Sequence, residues 1–141
     1  MDLETISPAD FGKSLTGMEI NVLVRDVRRQ AEFLTAVFGA SAHRLSDDFA
    51  IMRYAGQTFQ LHRDGTYQSH PLLGLLPEAG PRGAGAQFHM FETDPDEAVA
   101  KAAAFERATI LQAPTEKPHG LREAFILCEN GYAWVASRRL S

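Results

Sequence analysis

Glu19 and Asn21 open a run, Glu19-Ile20-Asn21-Val22-Leu23-Val24-Arg25-Asp26, in which polar and apolar residues alternate. Gln60 and His62 stand in the same relation in a second run, and Gln87, His89 and Phe91 in a third. Alternate residues of a strand share a face. Each run therefore carries carboxylate, amide or imidazole groups on one side. Such groups can hydrogen-bond a small molecule, with Phe91 as an apolar wall and Tyr54 and Tyr67 as further candidates. They can also move protons, with Glu19 as general base and His62 or His89 as acid. An acidic Glu19 among neutral polar groups favours a ligand with a cationic or hydrogen-bond-donating part.

Other chemistry-bearing residues have simpler readings beside the sharper ones. His119, before Gly120, serves either binding or turn structure. Arg122 can pair with an anionic group of a ligand or with a neighbouring carboxylate. His43 and His70 read as exposed strand and linker residues. Cys128 follows the apolar run Ala124-Phe125-Ile126-Leu127 and reads as an inert strand thiol. Arg82-Gly83-Ala84-Gly85-Ala86 lacks the Lys-Ser/Thr of a phosphate loop and precedes a strand, so it reads as a flexible hinge.

The elements that position these groups come in a repeat. Residues 19–26 and 87–94 are alternating runs of equal length, each ending in Asp. Each Asp opens a helix. Asp94 is followed by Pro95 and Glu97, a helix-start signature, and Ala-rich sequence then runs to Arg107. After Asp26, the residues Val27, Ala31, Leu34 and Phe38 fall on one helical face, and Gly39 ends the helix. Three strands follow each helix, at 41–45, 49–54 and 58–62, then at 109–112, 123–129 and 132–137. Gly56 and Gly131 mark the last turn of each half. Ile20, Val22, Val24, Phe88 and Met90 take the helix side of their strands. The polar residues take the other side.

The expected fold class is α+β, two βαβββ half-repeats whose curved mixed sheets surround a concave pocket. One domain spans 1–141, with modules at 17–63 and 86–137. The linker 64–85 is rich in Gly and Pro and is expected to be the mobile part. Its Leu72-Leu73-Gly74-Leu75-Leu76 cluster is expected to dock on a pocket edge or a partner chain. The polar first dozen residues are expected to be disordered.

A chain of 141 residues can bury a core without disulfide or structural metal. Its net charge of −4 and lack of a basic run argue against nucleic-acid binding. No apolar run approaches the ~20 residues of a membrane span. A single cysteine and an acidic N-terminus without a signal-peptide pattern point to the cytoplasm.

The order and spacing of these segments resemble the vicinal-oxygen-chelate superfamily, which includes glyoxalase I, extradiol dioxygenases and bleomycin-resistance proteins. The resemblance spans about residues 17–137. It rests on Asn21-Val22-Leu23-Val24-Arg25-Asp26, Phe33-Leu34-Thr35-Ala36-Val37-Phe38-Gly39-Ala40 and Asp94-Pro95-Asp96-Glu97. The segments Lys117-Pro118-His119-Gly120-Leu121-Arg122-Glu123-Ala124-Phe125 and Glu129-Asn130-Gly131-Tyr132-Ala133-Trp134-Val135 complete it.

The resemblance implies four metal-ligand positions, occupied here by Glu19, Gln60, Gln87 and Val135. Family ligands there are mostly His and Glu, and Val135 has no donor atom. The expected cofactor is therefore none, with a divalent metal held only if Glu19, His62 and His89 converge. The resemblance also implies that Trp134 faces the helix, and that two chains associate as a homodimer. The resulting reading is a small-molecule binder, of sequestering or resistance type. The alternative is an enzyme: a metal-dependent lyase, isomerase or dioxygenase, or a metal-free acid–base catalyst.

Overall fold

The computed structural model describes residues 1–65 and 71–141, so Tyr67 and His70 lie outside the described residues. Helix α1 (Pro8–Ser14) comes first. The first module follows as β1 (Asn21–Val24), α2 (Val27–Phe38), β2 (Ser41–His43), β3 (Phe49–Tyr54) and β4 (Gln57–Arg63). A 3-10 turn at Leu73–Leu75 precedes the second module. That module is β5 (Gly83–Met90), α3 (Pro95–Ala102), β6 (Thr109–Glu116), β7 (Leu121–Leu127) and β8 (Tyr132–Arg139). The two four-stranded sheets have matching orders, β1-β4-β3-β2 and β5-β8-β7-β6. In each, the first strand pairs in parallel with the last, and the other pairings are antiparallel. The expected α+β architecture of two βαβββ units is present.

Local chemistry sets the helix limits. Asp26 caps α2 by accepting from the Arg29 N–H, and Gly39 ends it at φ 74° with its N–H on the Leu34 and Thr35 carbonyls. Asp94 caps α3, and Pro95 occupies its first turn. Helix α3 ends at Ala102 rather than Arg107. The chain turns there so that Phe105 packs edge-on against Phe33 of α2, with ring centroids 5.6 Å apart.

The helix-side faces of both sheets share one core. Val22, Val24 and Leu61 of the first sheet and Met90, Ile126 and Trp134 of the second belong to the same buried cluster. Trp134 joins the halves, with ring contacts to Phe38 of α2, Phe59 of β4 and Phe88 of β5. A polar clamp reinforces the joint. Asn130, fully buried, accepts from the Arg25 backbone N–H through Oδ1 and donates to Gln30 Oε1 through Nδ2, both at 3.0 Å.

Two expectations fail here. The first dozen residues are ordered against the protein. Leu3 and Phe11 bury with Ile51 of β3, supported by Ile6, Leu15 and Phe49. Polar composition hid two anchoring side chains. The supposed hinge at 82–86 is also structured, because Gly83 opens β5 and its N–H donates to the Gly131 carbonyl. The connector is pinned at both ends. Arg82 forms a two-pronged ion pair with Asp64, and Arg25 donates to the carbonyls of Pro77, Glu78 and Gly80. Within the leucine cluster, Leu75 remains 78% exposed.

Candidate functional site

Since the helix sides face inward, the polar faces of the two sheets look outward. On the first sheet, strand register places Asn21 beside Gln60, Leu23 beside His62, Ile51 beside Gln60 and Phe49 beside His62. His62 Nε2 donates to Gln60 Oε1 at 3.0 Å. The Gln60 amide also stands beside the Glu19 carboxyl and favours its charged form. Glu19, Gln60 and His62 thus form one polar chain, while Asn21 is exposed at its edge.

The N-terminal segment roofs this face. Ile6, Phe11 and Leu15 close a cavity of about 560 Å³ whose floor includes Phe49, Gln60 and His62. Arg44 fastens the roof. Its backbone N–H donates to Glu4 Oε1, and its guanidinium donates to the Ile6 carbonyl. Glu19 lies on the other side of Phe11, in an adjoining pocket with Arg53 and Thr58.

Burial pushes the Glu19 carboxyl above its ordinary range, and the Gln60 amide only partly opposes this. A raised folded-state value means that the native state holds this proton more tightly than the unfolded chain. That contribution is complete below the unfolded carboxylate value of about 4.3 and is lost as pH rises through the raised folded value. Glu19→Gln is therefore expected to gain stability relative to the parent between pH 4 and pH 7. Urea melts at a series of pH values check this, and a constant difference across that range would refute it.

The second outward face holds a group that alternation reasoning passed over. Glu123 is only 2% exposed. Its Oε2 accepts from Ser137 Oγ at 3.1 Å, and its Oε1 accepts from His119 Nε2 at 3.2 Å. His89 Nδ1 stands 3.4 Å from Oε2, and His89 Nε2 donates to Gln87 Oε1 at 2.9 Å. Phe91 stacks on the His89 ring, with centroids 5.2 Å apart. The missed signal was a carboxylate inside Leu121-Arg122-Glu123-Ala124-Phe125, at a position whose neighbours on the sheet face are apolar or small.

The structure thus groups Glu19, Gln60 and His62 on one sheet and Gln87, His89 and Phe91 on the other. Arg122 joins neither group. Its guanidinium makes a two-pronged ion pair with Asp96 of α3, both contacts at 2.8 Å, which holds the Asp96 carboxyl below its ordinary range. Tyr54 donates or accepts at Thr93 Oγ1 and accepts from the Glu92 N–H. His43 bonds Ser41, and Cys128 is buried.

Solved structures carry the same architecture. A chain from Burkholderia phytofirmans PsJN, described as a glyoxalase/bleomycin resistance protein/dioxygenase family enzyme, aligns with a TM-score of 0.71 at 20% identity, covering 86% of this chain and 97% of that one. A glyoxalase/bleomycin resistance protein/dioxygenase from Nocardioides gives 0.63 at 18% identity, covering 94% and 92%. The fold is that of the glyoxalase/bleomycin-resistance/dioxygenase proteins. TioX from Micromonospora sp. ML1 shares it, at a TM-score of 0.62 and 23% identity over 89% of this chain and 100% of that one. No family model matches the sequence, and no curated protein matches it either.

The four positions that the vicinal-oxygen-chelate fold offers a metal do not fit one here. Gln60 and Gln87 spend their amide oxygens on His62 and His89. Val135 lies fully buried on the face of β8, beside His89 and Phe125. Among the described residues, no group of three or more His, Cys, Asp and Glu is placed to hold a metal ion. Glu19, His62 and His89 therefore do not form the alternative ligand set. No helix among the described residues is long and apolar enough to cross a membrane.

Proposed function

We propose that this protein is a metal-independent small-molecule binder of the vicinal-oxygen-chelate superfamily, acting by sequestration. The observation that carries this reading is the roofed cavity on the first sheet. Its size falls within the ~300–1,000 Å³ typical of ligand pockets. It offers a hydrogen-bonding floor at Gln60 and His62, and apolar walls at Phe11, Phe49 and Ile51. The neighbouring Glu19 favours a ligand with a donor group, relayed through Gln60. The reading includes a homodimer, because β1 and β5 both end their sheets as unpaired edges among the described residues. Light scattering at micromolar concentration should give twice the chain mass, and one chain mass would remove the dimer.

The test uses chelator-treated protein. Melting temperature and calorimetric heat are followed with a panel of aromatic amines and amides, then with Zn²⁺, Mn²⁺ and Fe²⁺. Compounds should bind without metal, and Phe11→Asp and Gln60→Leu should abolish that binding. A stoichiometric submicromolar metal site that disappears in Glu19→Ala would overturn the reading.

One observation favours an enzyme as the second reading. Glu123 accepts from His119 Nε2, which fixes the tautomer and leaves Nδ1 as the basic nitrogen of a more than half exposed imidazole. Metal-free proton transfer lost in both His119→Gln and Glu123→Gln would put this reading in front.

A further inference from the structure

The lining of the roofed cavity holds one cationic residue, Arg44, and no Asp or Glu among the described residues. Ile6 lines it too, and the Ile6 carbonyl accepts from Arg44 Nη2, so the guanidinium lies at the roof of the cavity. Nη1 has no partner among the described residues and, unlike Nε, is not sealed from solvent. Other arginines of this module are spent, since Arg28, Arg29 and Arg63 each meet a carboxylate. The Glu4 carboxylate is close to Arg44 but is engaged elsewhere. It accepts from the Arg44 backbone N–H and stands 3.5 Å from His43 Nδ1.

The backbone explains how Arg44 comes to be there. His43, Ile51 and Gln60 lie opposite one another on β2, β3 and β4. Ile51 packs under the roof, and His43 faces Glu4 within it. Strict alternation would send the next residue, Arg44, to the helix side. Its left-handed conformation, φ 51°, breaks the alternation, and the side chain stays with the roof. Strain of this kind in a non-glycine residue persists only where the surroundings over-determine it, and it collects at ligand clamps. Two strand spacings put the end of β2, which Arg44 follows, roughly 10 Å from Gln60 on β4.

We infer that the cavity takes an aryl carboxylic acid whose carboxylate accepts from the Arg44 guanidinium and whose far end donates to Gln60 Oε1. This rests on the reading of the cavity as a small-molecule site, and it names the ligand class. His62 uses one lone pair of Gln60 Oε1 and leaves the other open. Phe11, Phe49 and Ile51 face the ring system. One guanidinium matches one carboxylate in charge and geometry. A phosphate dianion would leave charge without compensation, and a cation would meet Arg44 with no counter-charge in the lining.

The probes are 6-amino-2-naphthoate and its uncharged counterpart, 6-amino-2-naphthamide. Calorimetry on chelator-treated protein should give about tenfold tighter binding for the acid. Arg44→Gln, which removes the charge and keeps an amide donor, should abolish that preference. Arg63→Gln, a surface arginine paired with Asp48, should leave it in place. Equal affinity for the two probes, a preference that survives Arg44→Gln, loss of both probes by one common factor in that variant, or a preference abolished by Arg63→Gln would each overturn the inference. Its failure is separable from that of the binder reading. Equal affinities that Phe11→Asp abolishes would leave a binding cavity and remove only the carboxylate assignment. No binding of either naphthalene while amines or amides bind would do the same, and no binding by any compound would remove both.

Discussion

Gly131→Ala should destabilise the protein by about 2–5 kcal/mol, against about 1–2 kcal/mol for Gly56→Ala. The two glycines hold equivalent turns in the two modules, and their backbones are alike, at φ 78° and 80°. A left-handed conformation costs an alanine about 1–2 kcal/mol at either site. The surroundings differ. A Cβ on Gly56 meets nothing within 4 Å. A Cβ on Gly131 would lie 2.1 Å from Pro81 Cα and 2.8 Å from the Arg82 nitrogen, both backbone atoms. Those atoms cannot step aside, because the Arg82 N–H is bonded to the Asn130 carbonyl and the Gly83 N–H to the Gly131 carbonyl. Overpacking adds about 1–3 kcal/mol. Paired urea melts measure the difference, and equal losses would show that the connector does not pack on this turn.

Arg82→Met should cost about 3 kcal/mol, toward the lower end of what breaking a buried ion pair costs. The Arg82 side chain is 2% exposed, and both its terminal nitrogens lie 2.6 Å from the Asp64 carboxylate. Asp64 is 30% exposed, so water recovers part of its solvation once the partner is gone. Asp64→Asn leaves the opposite defect, a buried cation without its counter-charge. The double variant should therefore lose less than the sum of the two single losses. Additive losses in that cycle would mean that the pair contributes nothing as a pair.

The sequence made the repeat legible for a physical reason. Alternation assigned Ile20, Val22, Val24, Phe88 and Met90 to the helix side; the last four pack there, while Ile20, just before β1, stays 38% exposed. Asp26, Gly39, Asp94 and Pro95 marked helix ends through backbone chemistry that needs no tertiary contact. Helix α1 was equally readable. Ser7 caps it by accepting from the Asp10 N–H, and Pro8 follows, the same signature that identified α3. It was passed over because its burial rests on Leu3 and Phe11, two apolar residues in a polar stretch. Arg122 and Glu123 show the limit of local reading. They are neighbours on one strand, yet one reaches Asp96 on a helix and the other is buried between two imidazoles. Which charge meets a ligand and which meets the protein depends in part on Asp96 and His89, 26 residues from Arg122 and 34 from Glu123, and alternation carries no information at that range.

The shared core governs how the chain can come into being on the ribosome. Gln30 meets its partner Asn130 after 100 intervening steps of sequence, Arg25 meets the same residue after 105, and Phe38 of α2 waits for Trp134. A chain lengthening at about 5–20 residues per second therefore exposes the first module, its apolar helix face uncovered and its β1 edge bare, for several seconds. Partial folding of that half cannot be locked in until the last strand emerges. Long-range closure of this kind also slows folding after release. The Asn130 turn is thus the place where a newborn chain stops being two unfinished halves and becomes one cooperative body.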